Sequence, residues 1–416
     1  MMSDEMVVSG LDTFRSDRAA PAWDVAGFED LILPLERQDF MRGYWQRRPY
    51  HVKRNVDGYF DGLISLTDID RMLSSTAFRD GEIRVARDGV VVSGREISAD
   101  GVVARNRVWN LYADGATVVF EHLNRRHAGL LRLSAKCEQE FKVPLRTNAY
   151  LTPPASKGFD LHYDTHDVLI LQIAGSKTWQ VHDDPLPLPH ELQTFKPSWA
   201  LRSQRLAEIR LEPGDVLYLP RGFIHGASAN EDVSFHITMG IRSLPLRDIC
   251  ETALRRFLLL RHEFRPVGRF DNIGGFSAAA KRALLEHLDE VDLAGAFRDA
   301  ELSFLRKRTR PQEGRLRELL DPPRIERGSR MRLTPGAIVT AVERDGNAIL
   351  FFDRRNMVLP EGVMPAIDFM RTRRSFLVSE LPGLEEESRL ILARKLHEAR
   401  LLDIADGRKH ADAGHL

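Results

Sequence analysis

Between Thr147 and Ile241 the chain breaks into short apolar runs separated by turn residues, and this constrains its fold more than any other feature. The runs cover 149–151, 168–173, 178–182, 216–219 and 233–241, with Gly175-Ser176, Pro213-Gly214-Asp215 and Pro220-Arg221-Gly222 between them. Glycine and proline set turn dihedrals that a strand interior does not tolerate, so each cluster ends one strand and reverses the chain. Repeated short strands with few helices between them predict a β-sandwich or small barrel.

The flanking segments read differently. Residues 40–45 have a helical pattern, and Ser65-x-x-Asp68 forms a capping box at the head of a helix over 66–73. Residues 83–92 alternate around Gly89 as a hairpin. Val119, Leu123, Leu130, Leu133 and Phe141 space out a broadly helical stretch over 118–141. After the strand region, Leu254, Phe257 and Leu258, then Leu284, Leu285 and Leu288, mark a helical layer. A strand at 348–352 and helices at 365–370 and 384–400 suit a small winged-helix-like domain. Residues 1–27 mix acids and arginines without an apolar core, so they read as a flexible tail, neither a signal nor a transit peptide.

The 416 residues carry 60 basic and 60 acidic side chains, so no global charge points to nucleic acid or to a membrane. No apolar run approaches the roughly 18 to 20 residues that span a bilayer. Arg306-Lys307-Arg308 and the cluster at 371–374 are short and read as solvated faces. Cys137 and Cys250 are too few for a disulfide scaffold and lack the paired spacing of a zinc site. A reducing cytoplasm is the expected compartment.

The chemistry concentrates in Gly158-Phe159-Asp160-Leu161-His162-Tyr163-Asp164-Thr165-His166-Asp167. On a strand, His162 and Asp164 project to one face and Tyr163 to the other, so the pair could bind one ion. A third ligand is available in His225, just after Pro220-Arg221-Gly222. Two histidines and one carboxylate leave positions open on Fe(II) for a bidentate co-substrate and dioxygen. Spacing alone leaves two alternatives open, because Asp164 and His166 are also two apart and His236 rivals His225. Beyond Gly175-Ser176, Lys177 falls on the expected antiparallel neighbour of the ligand strand, where an ammonium group could pair with a carboxylate.

These residues carry a resemblance. Asn148-Ala149-Tyr150-Leu151-Thr152-Pro153-Pro154, Gly158-Phe159, His162-Tyr163-Asp164, Leu171-Gln172, Gly175, Lys177, Trp179 and the stretch from Tyr218 to His225 together resemble the JmjC-type ribosomal oxygenases. Tyr44-Trp45-Gln46-Arg47-Arg48-Pro49-Tyr50 is similar to the N-terminal part of that family. The resemblance implies an α+β protein. Its double-stranded β-helix (cupin/JmjC) core with an N-terminal extension would span 28–243, a helical dimerisation region 244–324 and a winged helix 325–408, with tails at 1–27 and 409–416.

It also implies Fe(II), 2-oxoglutarate and O2. His162, Asp164 and His225 take the ligand positions, against His166 and His236. Lys177 takes the 2-oxoglutarate C5 carboxylate, and Asn148, Tyr150 and Thr238 face the same cavity. The implied enzyme is a homodimeric dioxygenase that hydroxylates histidine or arginine of a ribosomal protein, and lysine at 177 looks more like the histidyl-hydroxylating branch. Two departures stand out: residues 1–27 have no recognisable counterpart, and Gly240 stands where a polar side chain would help hold the co-substrate. The alternatives are an oxygenase acting on a biosynthetic peptide, small molecule or tRNA base, and a non-enzymatic cupin-like binding protein.

Overall fold

The computed structural model describes residues 11–266 and 273–405, which divide into two compact units. The first comprises the chain up to 243 with 310–324 and 334–337; the second comprises 244–309, 325–333 and the chain from 338 on.

The strands of the first unit are β1 (Asp12–Arg15), β2 (Tyr50–Lys53), β3 (Ile83–Arg87), β4 (Val90–Val91), β5 (Ser98–Ala99), β6 (Val102–Val103), β7 (Thr117–Phe120), β8 (Leu145–Thr152), β9 (Asp167–Ala174), β10 (Lys177–His182), β11 (Arg205–Leu211), β12 (Val216–Leu219), β13 (His225–Ala229) and β14 (Ser234–Ile241). Among the described residues a nine-stranded sheet runs β1-β2-β12-β9-β14-β8-β7-β3-β4 and a three-stranded sheet runs β11-β10-β13.

Alternation along β14 assigns its faces. Phe235, Ile237, Met239 and Ile241 join a large core with Phe28, Leu31, Phe40, Leu130 and Leu133 from the preceding helices, which leaves His236, Thr238 and Gly240 for the opposite, inner face. Inside, Val168, Ile170, Leu217 and Leu219 of the large sheet meet Trp179, Val181, Ile209 and Leu211 of the small one, closing a second, dry core with Phe223. This is a barrel-like pair of sheets whose inner face is apolar at one end and polar at the other.

Gly175 makes the step between the two sheets possible. Its φ is +59°, and a Cβ there would stand 1.8 Å from the Val233 carbonyl oxygen. β9 and β10 are therefore consecutive in sequence but lie in different sheets, and β10 pairs with β11 and β13. Lys177 is thus a neighbour of the strand that begins with His225, not of the strand after the His-x-Asp segment.

Three further expectations need correction. Residues 117–120 are a wholly buried strand between β3 and β8, since Val-Val-Phe favours a pleated surface, and helix resumes only at Ala128–Phe141. The segment read as a flexible tail is partly folded: β1 pairs in parallel with β2, and Trp23 is buried with its indole N–H donating to the Tyr59 carbonyl. Residues 1–10 lie outside the described residues, as do 406–416. Strands β11 and β13 were not expected, because Arg-Leu-Ala-Glu-Ile-Arg-Leu and His-Gly-Ala-Ser-Ala lack the β-branched runs that signal a strand. The Ser65 capping box is present as read.

The second unit has helices at Leu246–Leu260, Ile273–His287 and Leu293–Lys307, the first and third packed through Ile249, Ala253 and Ala296. It also holds a meander of Thr340–Arg344, Asn347–Phe352 and Arg355–Pro360. A second small sheet places Arg330–Leu333 between Phe376–Leu377 and Leu402–Ile404, accompanied by helices Met364–Thr372 and Glu386–Glu398. No helix of the described residues is long and apolar enough to cross a membrane.

Candidate metal centre and cavity

The His-x-Asp segment is not a strand. It is a loop tied to the rest of the barrel at three points. His162 and His225 face each other across an isolated antiparallel bridge and exchange both backbone hydrogen bonds, at 3.0 and 2.7 Å. The Gly222 N–H donates to the Asp164 carbonyl at 3.1 Å, and Gly222 occupies φ +97°, where a Cβ would stand 2.7 Å from the Leu186 carbonyl oxygen. The Pro220-Arg221-Gly222 turn is itself held by the buried Asp167, whose carboxylate accepts from Arg221 at 3.1 Å, Tyr218 at 3.1 Å and Ser243 at 3.0 Å. Tyr163 points away, as alternation predicts, with its hydroxyl donating to the Gln193 carbonyl.

This scaffold brings one ligand atom from each of His162, Asp164 and His225 within 4.8 Å of the others. Each imidazole Nδ1 faces a backbone carbonyl: Asp160 at 2.7 Å for His162, and Phe223 at 2.9 Å for His225. A carbonyl only accepts, so Nδ1 carries the proton and Nε2 presents its lone pair, the tautomer that metal ligation requires. Burial, reinforced by His162, lowers the pKa of His225 to about 4, so it stays neutral. Burial pushes Asp164 upward, but His166, His225, His162 and Arg84 outweigh it and keep the carboxyl below its ordinary value. A neutral His225 imidazole and an ionised Asp164 carboxylate, with His162 beside them, suit a divalent transition ion. His166 and His236 are not in the cluster.

On the polar inner face, Lys177 is only 4% exposed. Its ammonium donates to Thr152 Oγ1 at 3.0 Å and has no carboxylate partner among the described residues. Burial lowers its pKa to about 7. His236 stacks on Tyr150 with centroids 4.7 Å apart and meets Trp179 edge-on at 5.5 Å. Its Nδ1 and the Trp179 Nε1 are buried without a hydrogen bond. A buried cation beside unsatisfied polar atoms is costly in isolation. It suits an anion that enters from outside. Thr152, Trp179 and His236 were not singled out as pocket residues from sequence, although Thr152 and His236 continue the alternation that marks Tyr150 and Thr238.

A cavity of about 580 Å³ opens beside Asp164, lined among others by Asn148, Tyr150, Thr238, His166 and Gly240. Asn148 is engaged, its side-chain oxygen accepting from the His122 N–H at 2.9 Å.

With this geometry in view, the similarities of the chain acquire meaning. The JmjC domain family matches residues 122–249, the stretch that contains the triad and Lys177. The chain is similar to the JmjC-type ribosomal oxygenases. A protein named "Bifunctional lysine-specific demethylase and histidyl-hydroxylase NO66" from Drosophila persimilis is 29% identical over 353 residues, covering 78% of this chain and 48% of that protein. "Ribosomal oxygenase 1" of Homo sapiens is 32% identical over 218 residues, covering 51% of this chain and 34% of the relative. The chain thus spans less than half the length of these two similar proteins. Among solved structures, the YcfD ribosomal oxygenase of Escherichia coli superposes with a TM-score of 0.52 at 18% identity, over 90% of this chain and 99% of that one. A YcfD structure in complex with cobalt and 2-oxoglutarate gives a TM-score of 0.51 at 17% identity, over 89% of this chain and 98% of that one. At such identity the likeness speaks for the fold.

Proposed function

We propose that this protein is an Fe(II)- and 2-oxoglutarate-dependent dioxygenase that hydroxylates a histidine or arginine side chain of a protein, with a ribosomal protein as substrate. One observation carries the reading: three ligand atoms of the His/Asp/His type stand within 4.8 Å of one another, and a buried lysine lacks a carboxylate partner on the same inner face. His162, Asp164 and His225 would hold the iron. Iron bound there supplies dioxygen activation coupled to 2-oxoglutarate decarboxylation, with insertion of one oxygen atom into a substrate C–H bond.

The remaining work belongs to the chain's own side chains. Asp160 and Phe223 carbonyls hold the two imidazoles in the ligating tautomer. Lys177 and Thr152 receive the C5 carboxylate, whose charge offsets the cost of burying the ammonium group. Asn148, Tyr150 and Thr238 line the space between this anchor and the substrate. The dry core under Trp179 keeps water from the opposite side.

In the second unit, Leu246, Leu259, Leu260, Phe276 and Leu285 are exposed. That much uncovered apolar surface supports a homodimer built on the helical region, followed by the winged-helix-like domain. Cys137 and Cys250 are both free thiols, in keeping with a cytoplasmic enzyme.

The test is anaerobic reconstitution with Fe(II), then air and 2-oxoglutarate, with and without a ribosomal protein fraction. Succinate that rises with the fraction, together with a peptide heavier by one oxygen atom, supports the proposal. Succinate formed equally in both arms redirects the search to another substrate class, and none at all refutes the enzymatic reading.

A further inference from the structure

The inner face of β8 carries Arg146, Asn148, Tyr150 and Thr152 at alternate positions. Six residues of strand at about 3.3 Å each separate Arg146 from Thr152 by about 20 Å. Thr152 touches Lys177 at one end. At the other end Arg146 lies directly across from Gly240 in the β8–β14 register, and Arg242 follows two residues later. A diacid the size of 2-oxoglutarate is much shorter than this run, so a carboxylate seated on Lys177 leaves the Arg146 end to something else.

That end gathers three arginines and two histidines. Arg84, His122, Arg146, His166 and Arg242 all line the cavity that Asp164 also lines. Arg84 is engaged by Glu121 at 2.9 Å, and among the described residues Arg242 has only a distant Glu191 at 3.9 Å. Arg146 makes no ion pair among the described residues. Burial, and after it the nearby Arg242 and Arg125, pull the Arg146 pKa below its ordinary value, against Glu121 and Glu191. The backbone keeps a place for His166 here: a Cβ on Gly240 would stand 2.7 Å from His166 Cδ2 and Nε2. Neither ring nitrogen of His166 makes a hydrogen bond among the described residues.

We propose that Arg146 and Arg242, with His166 beside them, form a second anion site in the cavity, one that binds the side-chain carboxylate of an aspartate or glutamate close to the hydroxylated residue of a protein substrate. The assignment rests on the functional reading above and adds the substrate's local chemistry. A carboxylate fits better than a polyphosphate chain, because Asp80, Glu121 and Asp164 line the same cavity and would repel a polyanion.

Binding is measured on the full chain without added metal, by fluorescence anisotropy of two synthetic peptides with a central histidine. One carries aspartate near the histidine and the other asparagine at the same place. The aspartate peptide is expected to bind about tenfold more tightly. Arg146→Glu and Arg242→Glu should each erase that preference, while a peptide with lysine at that place gains affinity for both variants, a gain that an unfolded protein would not produce. Arg87→Glu, on an exposed residue that does not line the cavity, should change nothing. Equal affinities in the wild-type protein overturn the proposal, as does a preference that survives both variants. Single-stranded RNA that binds more tightly than the aspartate peptide, and loses affinity in the same variants, would also overturn it in favour of a phosphate site. A separate Co(II) titration reports the His162, Asp164 and His225 centre, so failure of the metal reading and failure of the anion site appear in different experiments.

Discussion

The two ends of the barrel interior share the same strands and the same alternation but fill it with opposite chemistry. At one end Val168, Ile170, Leu217 and Leu219 face Trp179, Val181, Ile209 and Leu211, and every side chain is apolar or nearly so. At the other end β8, β10, β13 and β14 turn Tyr150, Thr152, Lys177, His225 and His236 inward, with Lys177, His225 and His236 all at 5% exposure or less. The first end lowers the free energy of the fold through burial and close packing. The second spends some of that stability on groups that water would solvate better, which is how sites poised for a ligand are built.

Substitutions should therefore split along this line. The largest effect is expected at Asp164. Asp164→Ala should abolish Co(II) or Fe(II) binding and turnover, whereas His166→Ala should keep its metal; a metal-competent Asp164→Ala protein would dissolve the distinction between the two ends. In the dry half, Ile170→Ala should cost about 2 to 5 kcal/mol in urea unfolding, through lost transfer energy and the cavity left behind. It should do so with the metal site still able to fill.

Lys177→Met should do the reverse. Losing the partner of a buried carboxylate should weaken 2-oxoglutarate by about 2 kcal/mol, roughly thirtyfold in KM. The ligand-free protein should be as stable as before or more so, since an uncompensated buried charge is replaced by an apolar chain. A Lys177→Met protein that is strongly destabilised without ligand would mean that the lysine is structural.

The smallest effect per step is in pH. The lysine has an ordinary pKa of 10.5, lowered to about 7 in the fold. Between those values the unfolded chain binds a proton that the folded chain does not, so stability of the ligand-free protein should rise with pH across that window, by up to about 1.4 kcal/mol per pH unit. Below about 7 both states are protonated and this contribution is flat. Co-substrate binding runs the other way, because the dicarboxylate prefers the ammonium form. Its affinity should fall up to about tenfold per pH unit above 7, and Lys177→Met should flatten both profiles.

Much of the site was legible before the fold was known, and the places where the reading failed share a cause. His162, Asp164, His225 and Lys177 stand out in the sequence by residue type, yet strand alternation and hairpin pairing do not describe how they are placed. The His-x-Asp pair sits on a loop pinned by one bridge to His225 and one bond from Gly222, and Lys177 neighbours His225 through β10 and β13. Residues 118–120 fall in the stretch whose spacing predicts helix, because Val119 continues a helical spacing into Leu123, Leu130 and Leu133. A central position between β3 and β8 overrode that periodicity. Strand β13 was missed because His-Gly-Ala-Ser-Ala has no propensity signal; its pairing with β10 holds it in place.

The sequence by itself determined what depends on composition and near neighbours. It specified the turns at Gly175 and Gly222, the capping box at Ser65, the alternating faces of β8 and β14, and the residue types able to hold a metal. Only the tertiary structure decided which side chains meet across the barrel: His162 opposite His225, Lys177 beside Thr152, Arg146 across from Gly240. Those meetings join residues 25 to 94 positions apart. They follow from sheet register and from which groups the dry core leaves buried without partners, and neither quantity exists until the chain has closed on itself.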